Sequence, residues 1–205
     1  MSSSNVHGPV EIRAAATAVA NVLMSSVPTY ALVGGSACVV LGSDRATADI
    51  DFVVLRGQTA AARQLLRASP FFNVEPRTNH TTYNAGSTRV DIEILTPPTL
   101  FRERFDETTE VITVGNAKVL KPALLLNSKC RSIIGRANEA KKMTDSQDII
   151  FLLGFCAQNP AFLPKATEVP NATLEFVQMF IQVYSHQDEW TRAGYGLCTG
   201  LFAEE

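Results

Sequence analysis

A glycine turn after an apolar segment is the first feature of this sequence that suggests chemistry. Tyr30–Val33 is apolar and typical of a buried strand, and Gly34, Gly35 and Ser36 follow it directly. Because glycine has no Cβ, backbone N–H groups at such a turn can approach an anion closely. Ser36 stands where a short helix is predicted to begin, and the N-terminus of a helix favours phosphate. These three residues form a candidate phosphate-binding turn.

Two aspartates lie two positions apart at the start of the next predicted strand, residues 49–55. Asp49 and Asp51 are separated by Ile50, and residues i and i+2 of a strand share one face. By strand rise, their positions along the chain are about 6–7 Å apart. Neighbouring carboxylates beside apolar residues are costly to bury without a partner cation. A divalent ion, Mg²⁺ or Mn²⁺, is therefore the expected occupant.

A third carboxylate is expected from a later strand, predicted over residues 89–95. Asp91 and Glu93 share one face of this strand, and Val90 and Ile92 lie on the other. If this strand pairs beside residues 49–55, Asp91 reaches the same metal site. Glu93 is expected to be exposed or to lie behind the ligands. The alternative for all these acidic residues is a charged strand edge or a strand-end turn.

Together these residues resemble the nucleotidyltransferase superfamily that includes DNA polymerase beta. Over about residues 28–155, the chain is similar to small nucleotidyltransferases related to the AbiEii toxins and to the antibiotic nucleotidyltransferases. The resemblance implies a polymerase beta-like fold, a nucleoside triphosphate such as ATP as substrate, and Mg²⁺ or Mn²⁺ as cofactor. It also implies that Asp49, Asp51 and Asp91 are both the catalytic residues and the metal ligands. The matching pattern is Gly35-Ser36, twelve intervening residues, Asp49-Ile50-Asp51, and later Asp91 between apolar residues.

Charged residues after the predicted sheet resemble the segment that closes over the nucleotide in this superfamily. The order is a helical Lys129, then Arg136, then Lys142-x-x-Asp145-x-x-Asp148. The resemblance implies that Lys129 contacts triphosphate, that Lys141 or Lys142 assists, and that Asp148 orients the lysine or the ribose. The alternative is a solvated helix face with i,i+4 ion pairs. With Arg45 from the loop before residue 49, the candidate nucleotide-binding residues are Gly34, Gly35, Ser36, Arg45, Lys129, Lys142 and Asp148.

Composition limits the classes of protein to which this chain can belong. The 205 residues are 46% hydrophobic, which suffices for a sizeable core, and the net charge is −2 with a pI of about 5.9. No broad basic surface is expected, so an extended nucleic acid duplex is not an expected partner. The four cysteines show no CxxC pair, which argues against zinc and disulfides, and Cys38, Cys130 and Cys156 lie in apolar contexts typical of core thiols. The three histidines show no ligand spacing and are predicted at the surface, although His80 could line the cleft.

The N-terminal residues carry no targeting signal that the sequence reveals. Residues 1–8 are predicted to be disordered, and neither a basic n-region nor a long apolar run follows. No membrane association is expected, and a cytoplasmic location is expected by default.

The element pattern predicts an α+β fold (α/β-like), a mixed twisted β-sheet of about 4–6 strands with helices on one face, followed by a C-terminal helical part. Helices are predicted over residues 10–25, 36–41, 59–68 and 171–184, over 122–134 with Pro122 in the first turn, and over 146–157 with Asp145 as N-cap. Residues 9–120 are the predicted catalytic core. Residues 121–205 are the predicted helical region that closes over the nucleotide cleft.

The leading hypothesis is a metal-dependent nucleotidyltransferase that moves a nucleoside monophosphate from a nucleoside triphosphate onto an acceptor. A protein side chain, a tRNA end and a small hydroxylated molecule all remain open as acceptor. Two alternatives stand beside this hypothesis. One is a nucleotide-binding module without transfer activity, acting as a sensor or interaction partner, and the other is a toxin-like transferase with the same chemistry and a harmful target.

Overall fold

The structure is a computed structural model that describes residues 6–204. The chain divides into two compact units, residues 1–120 and residues 121–205. Most of the predicted disordered tail, residues 1–5, lies outside the described residues. His7, inside that predicted tail, pairs with Thr47 through two backbone hydrogen bonds of 2.8 and 3.1 Å. It is also buried, so the prediction of a surface position for His7 is wrong.

Three helices in the first unit pack against its sheet: α1 (Pro9–Leu23), α2 (Gly34–Leu41) and α3 (Thr59–Ala68). The start of α1 follows from Pro9 at its first position and from Glu11, which accepts a hydrogen bond from the N–H of Gly8 at 3.1 Å. One face of α1 is fully buried and carries small and branched residues at helical spacing. Its members are Ile12, Ala15, Ala16, Val19, Ala20 and Leu23.

Within residues 6–204, seven strands form one mixed sheet, one strand more than the upper end of the predicted range. Its order is β3-β4-β5-β2-β1-β7-β6, and only the β5–β2 and β1–β7 pairs are parallel. The α+β class with a mixed sheet is confirmed. The strands are β1 (Tyr30–Val33), β2 (Asp49–Val54), β3 (Phe72–Val74), β4 (Thr81–Ala85), β5 (Thr88–Leu95), β6 (Val111–Val114) and β7 (Ala117–Leu120).

Strand β2 is the interior strand around which the site is built. It pairs antiparallel with β1 and parallel with β5, and the parallel register places Asp49 opposite Asp91 and Asp51 opposite Glu93. Between the acidic residues, Ile50 is completely buried. Since successive side chains of a strand point to opposite faces, burial of the apolar residues places all four carboxylates on the other face.

The second unit is mainly helical. Its helices are α4 (Pro122–Ile134), α5 (Glu139–Gln158), α6 (Leu174–Tyr184) and α7 (Gln187–Arg192), and a short 3₁₀ turn covers Pro160–Phe162. A two-stranded hairpin, β8 (Tyr195–Gly196) and β9 (Leu201–Phe202), follows.

The predicted N-cap at Asp145 is wrong, because α5 begins about two turns earlier. Asn138 is the N-cap, and its side chain accepts a hydrogen bond from the N–H of Lys141 at 3.3 Å. Residues 139–143 are Glu, Ala, Lys, Lys and Met, all strong helix formers. Their high helix propensity extends α5 toward its N-terminus.

Aromatic packing organises the C-terminal part of this unit. Trp190 is completely buried, and its ring lies 5.5 Å from that of Tyr195 and 5.6 Å from that of Phe180. Phe202 also packs against the rings of Trp190 and Tyr195. The predicted core positions of Cys38, Cys130 and Cys156 are confirmed too, while Cys198 is exposed.

None of the helices formed by residues 6–204 has the length and apolar character that a bilayer span requires.

Candidate active site

Three carboxylates converge on one face of the sheet in the first unit. Asp49, Asp51 and Glu93 each place one oxygen so that the three atoms lie within 4.8 Å of one another. Asp49 and Asp51 are half-buried, and Glu93 is exposed. Like charges at such separations repel each other. A cation between them removes this cost.

The acidic group fits a small divalent ion in donor chemistry and in spacing. Mg²⁺ and Ca²⁺ prefer oxygen ligands at about 2.0–2.6 Å. Two oxygens on one such ion are therefore at most about 4 Å apart for Mg²⁺ and about 5 Å apart for Ca²⁺, and the three oxygens of the group lie within 4.8 Å of one another. Aspartate and glutamate are the usual protein ligands of these ions. The residues present can therefore hold a divalent ion of the kind that the superfamily resemblance implies.

Two hydroxyls position the aspartates of β2. The N–H of Asp51 donates to Ser36 Oγ at 3.1 Å, and this hydroxyl donates to the carbonyl of Val33 at 3.0 Å. Ser36 is completely buried, so its hydroxyl ties the first turn of α2 to β2. Thr47 Oγ1 donates to Asp49 Oδ1 at 3.4 Å. These positioning roles of Ser36 and Thr47 are not predicted from the sequence. The one signal for Thr47 is that it lies two residues before Asp49.

The glycine turn belongs to the first turn of α2, which begins at Gly34 and not at the predicted Ser36. Gly34 has a φ of +63°, a conformation that side chains with a Cβ rarely adopt. A Cβ at Gly34 would overlap Asp51 Oδ2, and one at Gly35 would overlap Arg45 Nη2. The first N–H groups of a helix have no intrahelical partner and favour anions. A phosphate-compatible helix end, an acidic group and the Arg45 guanidinium therefore lie side by side.

Asp91 is on the same face as the acidic group, but it is not part of it. Its Oδ1 contacts His80 Nε2 at 3.1 Å, and both side chains are about half exposed (48% for His80 and 50% for Asp91). The structure thus differs from the sequence prediction at the third carboxylate, since Glu93 converges with Asp49 and Asp51. Alternation places Asp91 and Glu93 on one face, but it does not show which of them converges with Asp49 and Asp51. Glu93 is exposed as predicted.

In the second unit, Lys129 lies in a buried ion-pair network. Its Nζ contacts Asp145 Oδ1 and Asp148 Oδ2, both at 2.7 Å. Asp145 also accepts from Arg136 Nε at 2.9 Å and from Ser132 Oγ at 3.1 Å. Burial alone would raise the pKa of Asp145, but the charge of Lys129 and the hydrogen bonds from Lys129 and Arg136 hold the pKa below its ordinary value. Lys129 and Asp148, both predicted nucleotide-binding residues, therefore bind each other here.

Lys142, the other predicted lysine, lies near the start of α5. Its Nζ contacts Glu139 Oε1 at 2.7 Å in an i,i+3 pair. The hydrogen bond from Lys142 to Glu139 and the charge of Glu139 raise the pKa of Lys142. This is the helix-face pair that the alternative interpretation predicts.

The architecture is similar to that of a solved structure, an antigenic nucleotidyltransferase-like protein from Paracoccidioides brasiliensis. The TM-score is 0.66 at 20% sequence identity, over 92% of this chain and 94% of that one. At this identity the likeness shows a nucleotidyltransferase-like fold and no more. No protein-family model matches the sequence, and no curated protein matches it. The predicted relation to AbiEii-type toxins and to antibiotic nucleotidyltransferases stays a prediction.

Proposed function

We propose that this chain is a metal-dependent nucleotidyltransferase that transfers a nucleoside monophosphate from a nucleoside triphosphate to an acceptor hydroxyl. The convergence of Asp49, Asp51 and Glu93 beside the N-terminus of α2 carries this proposal. The shared fold with a nucleotidyltransferase-like protein supports the general class. Mg²⁺ or Mn²⁺ is the proposed ion, because hard oxygen ligands favour both.

In the proposed reaction, the acceptor oxygen forms a bond to the α-phosphorus, and the bond from that phosphorus to the bridging oxygen of the β-phosphate breaks. Pyrophosphate leaves, and the acceptor hydroxyl loses its proton. A divalent ion held by Asp49, Asp51 and Glu93 would neutralise the negative charge that develops during the transfer. Asp91, beside them on β5, is the proposed acceptor of the proton.

The glycine turn and Arg45 are the proposed contacts for the phosphates that leave. The backbone N–H groups of Gly34, Gly35 and Ser36 provide donors at a helix N-terminus. The Ser36 hydroxyl is committed to the backbone of Val33 and Asp51, so Ser36 contributes through its N–H. Arg45, against Gly35, adds a positive charge and planar donors suited to phosphate.

Lys129, Lys142 and Asp148 are weaker candidates for nucleotide binding. Lys129 contacts two carboxylates and Lys142 contacts Glu139, so both ammonium groups have partners within their own unit. Triphosphate contact by these lysines, and closure of residues 121–205 over the nucleotide, remain predictions from the superfamily resemblance.

The test should not depend on knowing the acceptor. Pyrophosphate is released whatever the acceptor is, so its release can be followed with each of the four ribonucleoside triphosphates, Mg²⁺ or Mn²⁺, and separate pools of tRNA, protein and small polyols or aminoglycosides. The double variant Asp49→Asn/Asp51→Asn should lose activity. Asp44→Asn, which removes an exposed carboxylate from the loop before β2, should keep it.

The outcomes separate the hypotheses. Pyrophosphate release that requires Asp49 and Asp51 supports the transferase. Tight triphosphate binding without turnover in every pool, retained in Glu93→Gln, would instead indicate a nucleotide-binding module. Growth inhibition on expression that vanishes with Asp51→Asn would point to the toxin-like role, which shares the chemistry.

A further inference from the structure

Four carboxylates occupy the corners of a small patch on two neighbouring parallel strands. Asp49 lies opposite Asp91, and Asp51 lies opposite Glu93. Three of the four converge, whereas Asp91, directly across from Asp49, contacts the imidazole of His80. Backbone register alone does not explain this division, because Asp91 is as close in register to β2 as Glu93 is. Asp91 is held by its contact with His80, on the loop before β4.

The loop before β4 is built to hold His80 in place. The N–H of Glu75 donates to the carbonyl of His80 at 2.9 Å, and the N–H of His80 donates to Thr78 Oγ1 at 3.2 Å. The Glu75 carboxylate accepts hydrogen bonds from the side chain and backbone of Thr78 and from the N–H of Arg77, and these lower the pKa of Glu75. Asn79 adopts a left-handed φ of 60°, which Asn tolerates better than most residues. The loop therefore presents the imidazole from a closed, internally bonded turn.

We propose that His80 is a positioning residue that keeps Asp91 out of the metal-binding group, so that Glu93 supplies the third carboxylate and Asp91 stays at the rim of the site for the acceptor. This inference rests on the proposed function, because it assigns roles within that metal site. It concerns a residue that has no ligand spacing in the sequence and that the superfamily resemblance does not assign.

Two physical effects support this division of roles. A hydrogen bond to a carboxylate fixes the direction of its oxygen, and such a bond is stronger when one partner is charged. A fourth carboxylate in the group would add a further repulsion. The longer side chain of Glu93 reaches the group from the position opposite Asp51. With His80 in place, Asp91 therefore keeps its Oδ1 on the imidazole.

The inference can be tested by Mn²⁺ titration calorimetry on the full chain without nucleotide. Glu93→Gln should weaken Mn²⁺ binding at least about tenfold, since even groups behind the ligands often contribute 10–100-fold. Asp91→Asn should change the affinity by less than about twofold. In a His80→Ala background, Asp91 is released, so Asp91→Asn should then weaken binding at least about threefold.

A conservative variant provides the control. In His80→Gln, the side-chain amide can still donate a hydrogen bond to Asp91. Mn²⁺ affinity in this background should therefore depend on Glu93 and not on Asp91, as in the wild type. His80 is about half exposed, so these substitutions leave the core intact, which circular dichroism can check. A second readout needs no metal: ¹⁵N NMR of the imidazole nitrogens should show a change at His80 in Asp91→Asn and none in Asp44→Asn.

Failure of the inference is distinct from failure of the proposed function. If the wild type does not bind Mn²⁺, the proposed function fails and the division of roles fails with it. If the wild type binds but Asp91→Asn weakens binding as much as Glu93→Gln, only the division of roles is overturned. The same holds if removal of His80 leaves the effect of Asp91→Asn unchanged.

Discussion

At the scale of single residues, Asp51 is where the contacts of the site meet. Its N–H is fixed by Ser36, its carboxylate lies over Gly34, and its Oδ belongs to the acidic group. Gly34 is therefore constrained in two ways, by its left-handed backbone and by the carboxylate that fills the space of a Cβ. Substitution at this one position should disturb both stability and the metal site.

The predicted effect of Gly34→Ala can be separated into these two parts. A left-handed non-glycine residue costs of order 1–3 kcal/mol, and the new methyl must also displace the Asp51 carboxylate. The matched control is Gly86→Ala, since Gly86 has a φ of 60° but open space around its Cβ position. Chemical denaturation should show destabilisation in both variants, and Mn²⁺ calorimetry should show lost affinity only in Gly34→Ala. Equal affinities in the two variants would contradict the close approach of Asp51.

The sequence predicts the residues of the site that follow local patterns, but not those that depend on contacts between elements. Asp49 and Asp51 share a face because a strand alternates, and Gly34 and Gly35 mark a turn because few other residues fit there. The choice between Asp91 and Glu93 depends on strand register and on a contact with His80 from a distant loop. The role of the Ser36 hydroxyl depends on β2 lying beside α2. Contacts between residues on different elements cannot be predicted from the spacing of residues along the sequence.

At the scale of elements, the buried ion pairs join α4 to α5. Lys129 on α4 contacts Asp145 and Asp148 on α5, and these two carboxylates are almost completely shielded from solvent, with side-chain exposures of 3% and 0%. Removing one partner from a buried ion pair leaves an uncompensated charge. The network thus fixes the register of the two helices.

Lys129→Met should destabilise the chain by about 3–5 kcal/mol, because it leaves the buried carboxylates of Asp145 and Asp148 without their shared cation. The control is Lys141→Met, on the exposed face of α5, which should change stability by less than about 0.5 kcal/mol. Urea denaturation measures both. If Lys129→Met is as stable as the wild type but loses triphosphate affinity, the lysine is a ligand contact and the structural account is wrong.

The same network predicts a loss of stability in acid. The pKa of Asp145 in the folded state lies below its ordinary value, so the folded state favours the ionised form more than the unfolded state does. This contribution is fully present above the unfolded pKa of about 3.9 and is lost as pH falls through the folded value. Free energies of unfolding measured from pH 7 to pH 3 should fall less steeply below about pH 4 in Asp145→Asn than in the wild type. Identical slopes for the two proteins would contradict a role for Asp145 in the loss of stability at low pH.

The sequence predicts the existence of the helices and strands better than their first and last residues or the elements against which they pack. Helix α4 follows from Pro122 and the apolar residues after it, and it is found where predicted. Helix α5 begins at Glu139 and not at Ser146, because the residues of its charged first turns have high helix propensity. The hairpin β8–β9 and helix α7 have too few residues to show a period, and packing around Trp190 holds them in place.

At the scale of the whole molecule, ion binding at the acidic group is linked to folding, because a metal that binds only the folded chain stabilises it. Mn²⁺ at about 100 times its Kd should stabilise the wild type by about 2.7 kcal/mol. The same concentration should stabilise Asp49→Asn much less, because one of the three converging carboxylates is gone. Thermal unfolding with EDTA and with Mn²⁺ measures the difference, and equal stabilisation of the two chains by Mn²⁺ would contradict the metal site.

The most direct test of the account is the stoichiometry and affinity of Mn²⁺ binding to the full chain, measured by calorimetry. The account predicts saturable binding to the wild type and to Asp44→Asn. It predicts at least about a hundredfold loss of affinity in Asp49→Asn/Asp51→Asn, because two of three converging ligands are gone. Unchanged Mn²⁺ binding in that double variant, or none in the wild type, would contradict the claim that this acidic group is a metal site.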